Sequence, residues 1–302
     1  MTREESTQPQ VSEMIDPAIW ERETPSSVLA DEPVIKIRAS RPLSGVSVRE
    51  LWAHRDLLYF LIWRDLKARY KQTTLGVSWA VVQPLLMTVV FVVFLGKLVR
   101  VSTGNVPYPL FIYAGLLPWT FFSSGVSSGS YSLIGNANMI TKVYFPRLIL
   151  PAAAVGVRLS DFLIASLVVI VLVPYYGMSF GWRLVALPFL TIALAALILG
   201  LSALFSALHV RYRDTGTALP VLLQAWMFCS PIVYPITLVP EKWRWVYELN
   251  PMVGMVEGFR SALIGLPFNR RSLALSAATI IIVLIWSTFI FHRMEDDFAD
   301  IV

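Results

Sequence analysis

Charge, cysteine and histidine are all scarce in this sequence of 302 residues. Only 15% of the residues are charged, against about 25% in an ordinary soluble domain, and 56% are hydrophobic. The one cysteine, Cys229, excludes a disulfide within the chain and a metal site built from cysteines. The three histidines, His54, His209 and His292, are far apart in sequence, so a histidine-ligated metal is not expected either. We therefore expect the chain to bind no metal and no cofactor of its own.

Charged residues are absent from three long stretches, which are residues 101–141, 162–182 and 215–240. A water-soluble core does not require a charge-free stretch of 41 residues, whereas a chain surrounded by lipid does. The sequence therefore predicts an all-α integral membrane protein, and it excludes an ordinary globular domain and a disordered chain.

Six segments are long enough to cross about 30 Å of hydrocarbon as helices, which takes about 20 residues. The predicted spans are 77–99, 108–132, 148–173, 184–208, 216–238 and 272–291. Together they form a predicted six-helix transmembrane domain over residues 77–292. The apolar stretch 253–266 has about 14 residues and is too short to cross, so we interpret 250–268 as a re-entrant or interfacial hairpin on the outer side.

Two tails and one helix flank this domain. Residues 1–46 show no sustained hydrophobic period, which predicts a flexible cytoplasmic tail. Within residues 47–76, apolar and charged positions recur at helical spacing, which predicts an amphipathic helix in the membrane interface. Residues 293–302 are predicted to form a short cytoplasmic tail.

The orientation follows from the basic residues next to the first span. Four of them stand there: Arg64, Lys67, Arg69 and Lys71. By the positive-inside rule this end lies in the cytoplasm, and six spans then place both termini there. The formal net charge of +5 suits a surface of anionic lipid better than nucleic acid. We expect membrane lipids, and no nucleic acid, as partners.

Most motifs that indicate enzyme chemistry are missing. The sequence has no G-x-x-x-x-G-K-[ST] motif, so the chain is not expected to bind ATP by a P-loop. Residues 125–129 match the G-x-S-x-G pattern, but they lie in a predicted membrane helix, where close packing or a polar lining is expected instead. Arg158 and Asp161 stand three residues apart in the third span and can pair, either as a structural ion pair or as part of a pathway.

Two further features are compatible with transport. The inner loop 135–147 has a basic end and could receive force from a partner, although it could also be an ordinary connector. Aromatic side chains can stack on the apolar faces of sugar rings, although core or lipid-facing packing also explains single aromatics. The candidate conduit residues are Trp79, Trp119, Phe121, Phe122, Tyr131, Trp226, Phe228 and Tyr234.

Several spaced motifs resemble one known family. The segments are RDLKARYKQTTLG (64–76), QPL (83–85), GLLPWTFFSSG (115–125), NMITKVYFPR (138–147), VRYRDTG (210–216), SPIVYP (230–235) and NPM (250–252). Their order is similar to that in the polysaccharide permeases of the type-2 ABC exporters. The resemblance covers about residues 50–292 and does not reach the N-terminal tail.

The resemblance implies a permease that exports a lipid-linked O-antigen, capsular polysaccharide or teichoic acid across the inner membrane. Two copies would form a homodimeric conduit, and two separate ATP-binding cassette subunits would bind ATP and magnesium. The permease itself would contain no catalytic residue.

The resemblance also implies roles for three groups of residues. Coupling to the ATPase is expected at Asn138, Met139, Ile140, Lys142, Tyr144 and Arg147. The outer gate is expected at Asn250, Pro251, Gly254, Glu257, Gly258 and Arg260. The lipid headgroup is expected to meet the four basic residues before the first span.

Two alternatives stay open at this stage. The first is an exporter of small lipids or drugs with the same architecture. The second is an integral membrane transferase that acts on glycans or lipid headgroups. The acids outside the tails form no D-x-D pair, which disfavours the transferase.

Overall fold

The computed structural model describes residues 52–71, 76–99 and 106–295, together with Phe298. Helices dominate these residues, which include no β-strand, so the predicted all-α class is confirmed. The predicted tail over 1–46 lies outside the described residues, as does most of the predicted tail over 293–302. In chain order the helices are α1 (Arg55–Lys71), α2 (Trp79–Phe91), α3 (Tyr108–Ser130), α4 (Ser132–Gly135), α5 (Ala137–Ile140), α6 (Ile149–Tyr175), α7 (Leu187–Arg211), α8 (Thr215–Phe228), α9 (Glu241–Glu248), α10 (Pro251–Ile264) and α11 (Arg270–Glu295).

Five of the described helices are long and apolar enough to cross a membrane. They are α2, α3, α6, α7 and α11, where α2 is counted with the 3₁₀ turn before it and with π-helical residues up to Gly96, and α7 with the 3₁₀ turn before it. A π-helical stretch over Val92–Val99 continues α2. These five helices correspond to the first four predicted spans and the sixth. The chain is therefore a multi-pass membrane protein.

The fifth predicted span, 216–238, is not one continuous helix. Its helix, α8, has 14 residues, which is about 21 Å and short of a full crossing. Pro231 and Pro235 follow in the turns after α8, where a proline cannot donate the hydrogen bond that a continuing helix needs. Apolar composition alone did not reveal this break.

The segment that contains α8 nevertheless runs along the whole of α3. At one end, the Tyr131 hydroxyl donates to the carbonyl of Gly216 at 3.2 Å. At the other end, the Tyr108 hydroxyl donates to the carbonyl of Val233 at 3.0 Å. Tyr108 begins α3 and Tyr131 follows its last residue, so we call the two ends of the bundle the Tyr108 end and the Tyr131 end. Six membrane-spanning helices stay a prediction.

The predicted hairpin over 250–268 begins earlier in the structure. Helices α9 and α10 form two arms joined at Leu249 and Asn250, and the side chain of Asn250 caps α10 by accepting from the backbone N–H of Met252 at 3.0 Å. Helix α10 ends at Gly265, whose φ of 80° favours glycine. Thirteen of the 14 residues of α10 are buried. A re-entrant position in the membrane stays a prediction.

Helix α3 forms the centre of the bundle, and 16 of its 23 residues are buried. It packs against α6 and α7, and two glycines allow α7 to come close. A Cβ at Gly125 would collide with Ile198, and one at Gly129 would collide with Ser202. The G-x-S-x-G pattern therefore serves helix packing at both of its glycines, as one of the two sequence interpretations predicted.

A second hydrophobic cluster lies at the Tyr131 end. It joins α1 to the loop after α3 and to the last part of the described chain. Its fully or almost fully buried members include Leu61, Leu133, Ile149, Phe291 and Phe298. Helix α1 and the C-terminal end of α11 therefore meet at one end of the bundle.

Helix α1 has apolar residues on more than one face. Leu61 is buried in the second cluster, and Ile62 contacts α6 where Gly156 leaves room for it. The outward face carries Tyr59, Phe60 and Trp63, all more than half exposed, beside charged residues. The outward face therefore carries aromatic rings as well as charged residues, while the apolar Leu58, Ile62 and Leu66 are partly buried. An outward aromatic face suits a helix at a membrane–water boundary.

Candidate functional site

A groove of about 460 Å³ lies between α2, α3, α6 and α8. Helix α2 contributes Trp79 and Gln83 to its wall, and α8 contributes Gln224. Trp119 and Phe121 of α3 also line it. The wall thus combines aromatic rings with uncharged polar groups, which is a suitable surface for a neutral polar molecule that must move.

A row of hydroxyl groups lines this groove along α3. Its members are Thr120, Ser123, Ser124 and Ser127. Their spacing of three and four residues places them on one face of the helix. The hydroxyls of Thr120 and Ser124 donate to backbone carbonyls of their own helix at 3.0 and 3.4 Å, so their oxygen lone pairs can still accept. The sequence interpretation did not single out this row, although its spacing was visible.

Charged residues close the groove at one side. Asp161 accepts two hydrogen bonds, from the Tyr70 hydroxyl at 2.5 Å and from Arg158 Nη1 at 3.3 Å, and it forms an ion pair with Arg69 Nη1 at 3.0 Å. Arg158 Nε also donates to the Ser128 hydroxyl at 2.7 Å. The predicted pair of Arg158 and Asp161 is therefore present, and it belongs to a larger network that joins α1, α3 and α6.

Tyr70 acts in this network as a donor. Burial, together with the hydrogen bond to Asp161, raises the pKa of Tyr70 to about 12. Its hydroxyl therefore keeps its proton at neutral pH and can donate to the carboxylate. Arg69 and Tyr70 lie on α1 whereas Asp161 lies on α6, so the network fixes the end of α1 next to the groove.

The four basic residues predicted to recruit a lipid headgroup divide into two pairs. Arg64 and Arg69 are engaged: Arg64 Nη2 donates to Asn136 Oδ1 at 2.9 Å, and Arg69 contacts Asp161. Lys67 and Lys71 are exposed on the outer face of α1. Arg64 is also 40% exposed, so the two lysines and Arg64 are accessible to the surroundings, whereas Arg69 is held by Asp161.

The predicted conduit aromatics do not form one surface. Trp79, Trp119 and Phe121 line the groove, but Phe122 is fully buried between the rings of Trp119 and Trp226. The others lie elsewhere. Tyr131 makes an edge-to-face contact with the His209 ring at the Tyr131 end, the Trp226 indole donates to Asn250, Tyr234 contacts Tyr247, and Phe228 is exposed.

The candidate coupling loop has an outer and an inner side. Asn138, Lys142 and Tyr144 are exposed, and the Tyr144 side chain is 93% exposed. Ile140 is buried in the second cluster, and Arg147 lies over the ring of Phe298. Met139 packs against the same cluster. The outer residues can contact a partner, whereas the inner ones hold the loop on the bundle.

The candidate gate residues hold the hairpin of α9 and α10 in place. Arg260 is 3% exposed, and it donates to the carbonyls of Pro231 and Ile232, both at 2.5 Å. Its guanidinium also lies 3.6 Å from the centre of the Phe111 ring. No carboxylate lies within ion-pair distance of Arg260 in the part of the chain that the structure describes.

The remaining gate candidates make close helix contacts. Gly254 and Gly258 lie against α11, where a Cβ at Gly254 would collide with Ser272 and Ser276. Asn250 accepts from the Trp226 indole at 2.9 Å and donates to the carbonyl of Cys229 at 2.9 Å. Pro251 is buried and Glu257 is partly buried.

Comparison with known proteins agrees with this architecture. Residues 56–264 match the family model described as ABC-2 type transporter. The O-antigen export system permease protein RfbA of Myxococcus xanthus is 31% identical over 84% of this chain and 98% of its own length. The protein of the same name from Klebsiella pneumoniae is 31% identical over 82% of this chain and 95% of its own length.

A further relative is more distant. The polysialic acid transport protein KpsM of Escherichia coli is 26% identical over 67% of this chain and 79% of its own length. The family match spans α1 through α10, which includes the groove, the coupling loop and the buried hairpin. With its all-helical bundle and long apolar helices, this chain belongs to the ABC-2 type transporter family.

Proposed function

We propose that this chain is the membrane-spanning permease of an ATP-driven exporter of lipid-linked polysaccharide. The groove between α2, α3, α6 and α8 is the observation that supports this function most directly. The names of the relatives, O-antigen export permease and polysialic acid transport protein, support the same substrate class. The chain would not be an enzyme by itself.

The lining of the groove suits a sliding glycan. Sugar hydroxyls can donate to the hydroxyl row of α3 and to Gln83 and Gln224, while the rings of Trp79 and Trp119 offer flat apolar faces. Uncharged hydrogen-bonding groups hold each sugar weakly, so a polymer can advance without a deep energy minimum at any position. A tightly complementary cage would instead retain one unit.

We propose that a second copy of the chain completes the conduit. Helices α2 and α8 both line the groove, and both expose large apolar side chains on their outer surfaces. Those on α2 include Leu86 and Val89, Phe94 lies on the π-helical stretch that continues α2, and those on α8 include Val221 and Leu222. Such surfaces can face lipid or pack against an identical subunit, and only the second arrangement encloses the groove.

The loop between α3 and α6 would receive force from the ATPase. Thr141, Lys142, Val143 and Tyr144 are exposed, whereas Ile140 and Phe145 on either side are buried. The loop is therefore an exposed segment held at both of its ends, and a push on it is transmitted to α3 and α6. Two separate ATP-binding cassette chains, which hold ATP and magnesium, would dock here.

We further propose that the Tyr131 end faces the cytoplasm and that the protein lies in the inner membrane. Helix α1 and the end of α11 share the second hydrophobic cluster, which supports both termini on one side. Lys67 and Lys71 would then attract anionic lipid headgroups, each by about 1 kcal/mol. The buried hairpin at the Tyr108 end would control exit on the outer side.

The experiment is deletion of the gene, with the surface polysaccharide measured on whole cells and the lipid-linked precursor measured in the cytoplasm. We expect loss of the surface polymer and accumulation of the intracellular precursor, both restored by the intact gene. Unchanged surface polymer with altered export of small lipids or drugs would indicate the alternative substrate class. Loss of precursor synthesis would instead indicate the transferase.

A further inference from the structure

Helix α11 reaches from one end of the bundle to the other. It has 26 residues, which is about 39 Å, and it runs from the hairpin of α9 and α10 to the second hydrophobic cluster. Of the five described helices that are long enough to cross a membrane, α11 is the one with neither proline nor glycine in its sequence. Because helices usually bend at such residues, α11 is suited to carry a displacement along the bundle.

The C-terminal end of α11 holds the last residue of the candidate coupling loop. The Glu295 carboxylate accepts from the backbone N–H of Arg147 at 3.3 Å, and it also contacts His292 Nδ1 at 2.9 Å. The Arg147 guanidinium lies 5.7 Å from the centre of the Phe298 ring. Its Nη1 is buried and has no hydrogen-bond partner among the described residues, which leaves the negative face of this ring to stabilise the cation.

Phe298 is itself held firmly. It is 1% exposed, and its ring lies 5.5 Å from the ring of Phe291 in α11. Both rings belong to the second hydrophobic cluster, which also contains Ile140 and Phe145 of the coupling loop. A hydrogen bond, a cation–ring contact and apolar packing thus join the loop to the end of α11. We call Glu295 and Phe298 the loop clamp.

The N-terminal part of α11 contacts the hairpin equally closely. Gly254 of α10 has no Cβ, and one placed there would lie 2.5 Å from the carbonyl oxygen of Ser272 and 2.3 Å from the hydroxyl of Ser276. On α9, the largely buried Glu248 pairs with Arg271 Nε at 3.3 Å. A shift or rotation of α11 must therefore move the hairpin or break these contacts.

We infer that α11 is a mechanical link between the coupling loop and the hairpin, with Glu295 and Phe298 as positioning residues that make α11 follow the loop. The inference rests on the proposed function, in which the loop receives force from the ATPase and the hairpin controls exit. Helices α3 and α6 adjoin the loop along the chain. Helix α11 adds a route that chain order does not suggest, because Arg147 and Glu295 are 148 positions apart.

Cys229 provides a reporter of movement at the hairpin. It is the single cysteine of the chain and is exposed, and its carbonyl accepts from Asn250 Nδ2, at the joint of the two hairpin arms, at 2.9 Å. The test uses the complex of the full chain with its ATPase, reconstituted in liposomes. The labelling rate of Cys229 by a small methanethiosulfonate is followed by intact mass of the chain, with and without ATP and magnesium. We expect ATP to change this rate by about threefold or more in the unmodified complex.

The clamp variants should lose this response. Glu295→Ala and Phe298→Ala should bind the ATPase and hydrolyse ATP, but ATP should no longer change the labelling of Cys229, and surface polysaccharide on whole cells should fall severalfold. Phe298→Leu keeps an apolar side chain in the second cluster and removes only the aromatic face, so it replaces the alanine variant if that variant is unstable.

Two further variants serve as controls. Glu295→Gln should retain the response, because its amide oxygen can still accept from the Arg147 N–H. Phe289→Ala removes a phenylalanine of α11 that is 54% exposed and lies outside the second cluster. It should respond to ATP as the unmodified complex does.

The outcomes separate this inference from the proposed function. An unchanged ATP response in both Glu295→Ala and Phe298→Ala would show that α3 and α6 carry the movement alone, and it would overturn the link. Loss of ATPase binding in these variants would also overturn it, because the clamp would then only stabilise the fold. So would an unmodified complex that exports polysaccharide without any ATP response at Cys229. An unmodified complex that neither hydrolyses ATP nor exports would contradict the proposed function itself.

Discussion

The guanidinium of Arg260 donates to the carbonyl oxygen of Ile232 at 2.5 Å, although the two residues are 28 positions apart in sequence. The same side chain reaches the carbonyls of Pro231 and Phe111, so one residue of α10 ties the turns after α8 to the start of α3. A proline-rich turn cannot satisfy its own carbonyls through a helix, and the buried arginine supplies the missing donors. Arg260 therefore stabilises the packing of the hairpin of α9 and α10 against these two segments.

Arg260→Gln should therefore destabilise the protein, by about 3 kcal/mol, because three carbonyls lose a charged donor in a buried site. The measurement is thermal unfolding of the purified chain, followed by tryptophan fluorescence. Arg244→Gln, at a more exposed arginine of α9, is the matched control and should unfold at nearly the unmodified temperature. Equal shifts in the two variants would refute the special role of Arg260.

Because α3 packs closely on α7, an alanine should lower the stability of the protein at Gly129 but not at Gly135. Gly129→Ala places a Cβ on Ser202 and should destabilise the bundle by about 1–3 kcal/mol. Gly135→Ala has open space around the new Cβ and should be neutral or slightly stabilising. Both are read from thermal unfolding of the purified variants. A tolerated alanine at Gly129 would mean that the two helices are farther apart than described.

If the coupling loop binds the ATPase, a charge at an exposed position should weaken that binding, whereas a charge at a buried position should lower the stability of the protein. Tyr144→Asp should leave the fold intact and weaken capture of the ATPase subunit, since this side chain is 93% exposed. Ile140→Asp should instead destabilise the chain itself, because a charge would enter the second hydrophobic cluster. Co-purification with the ATPase and thermal unfolding distinguish the two effects. Full ATPase binding by Tyr144→Asp would place the docking site elsewhere.

The groove predicts that bulk on the hydroxyl row blocks transport. Ser124→Trp should abolish appearance of the polysaccharide at the cell surface while the protein still assembles in the membrane, because the new ring fills the space between α3 and α8. Val171→Trp is the control, since Val171 lies on α6, outside the groove lining, and is 68% exposed. Normal export by Ser124→Trp would remove the groove from the pathway.

The sequence predicted most of the fold because lipid imposes a simple rule. A span must be long, apolar and helical, and five spans follow that rule closely enough to be read from composition. The fifth predicted span did not follow it, because apolar runs continue through Pro231 and Pro235 although the helix ends at Phe228. The predicted hairpin over 250–268 left out α9, because Glu241–Glu248 is rich in charged residues and does not belong to an apolar stretch.

The site was predictable only where its contacts are local. Arg158 and Asp161 are three residues apart, so helical spacing was enough to pair them. Tyr70 meets Asp161 across 91 positions, and no local pattern reveals such a contact. The aromatic residues were selected by composition, which does not tell whether a ring such as that of Phe122 faces a groove or the core.

The central claim is that glycan passes through the groove, and site-specific photocrosslinking tests it most directly. A photoreactive phenylalanine analogue would replace Ser124 or, as the control, Val171, in cells that make the polysaccharide. We predict that irradiation attaches glycan to the chain at position 124 and not at position 171. Equal labelling at both positions, or no labelling at position 124 while export continues, would contradict the account.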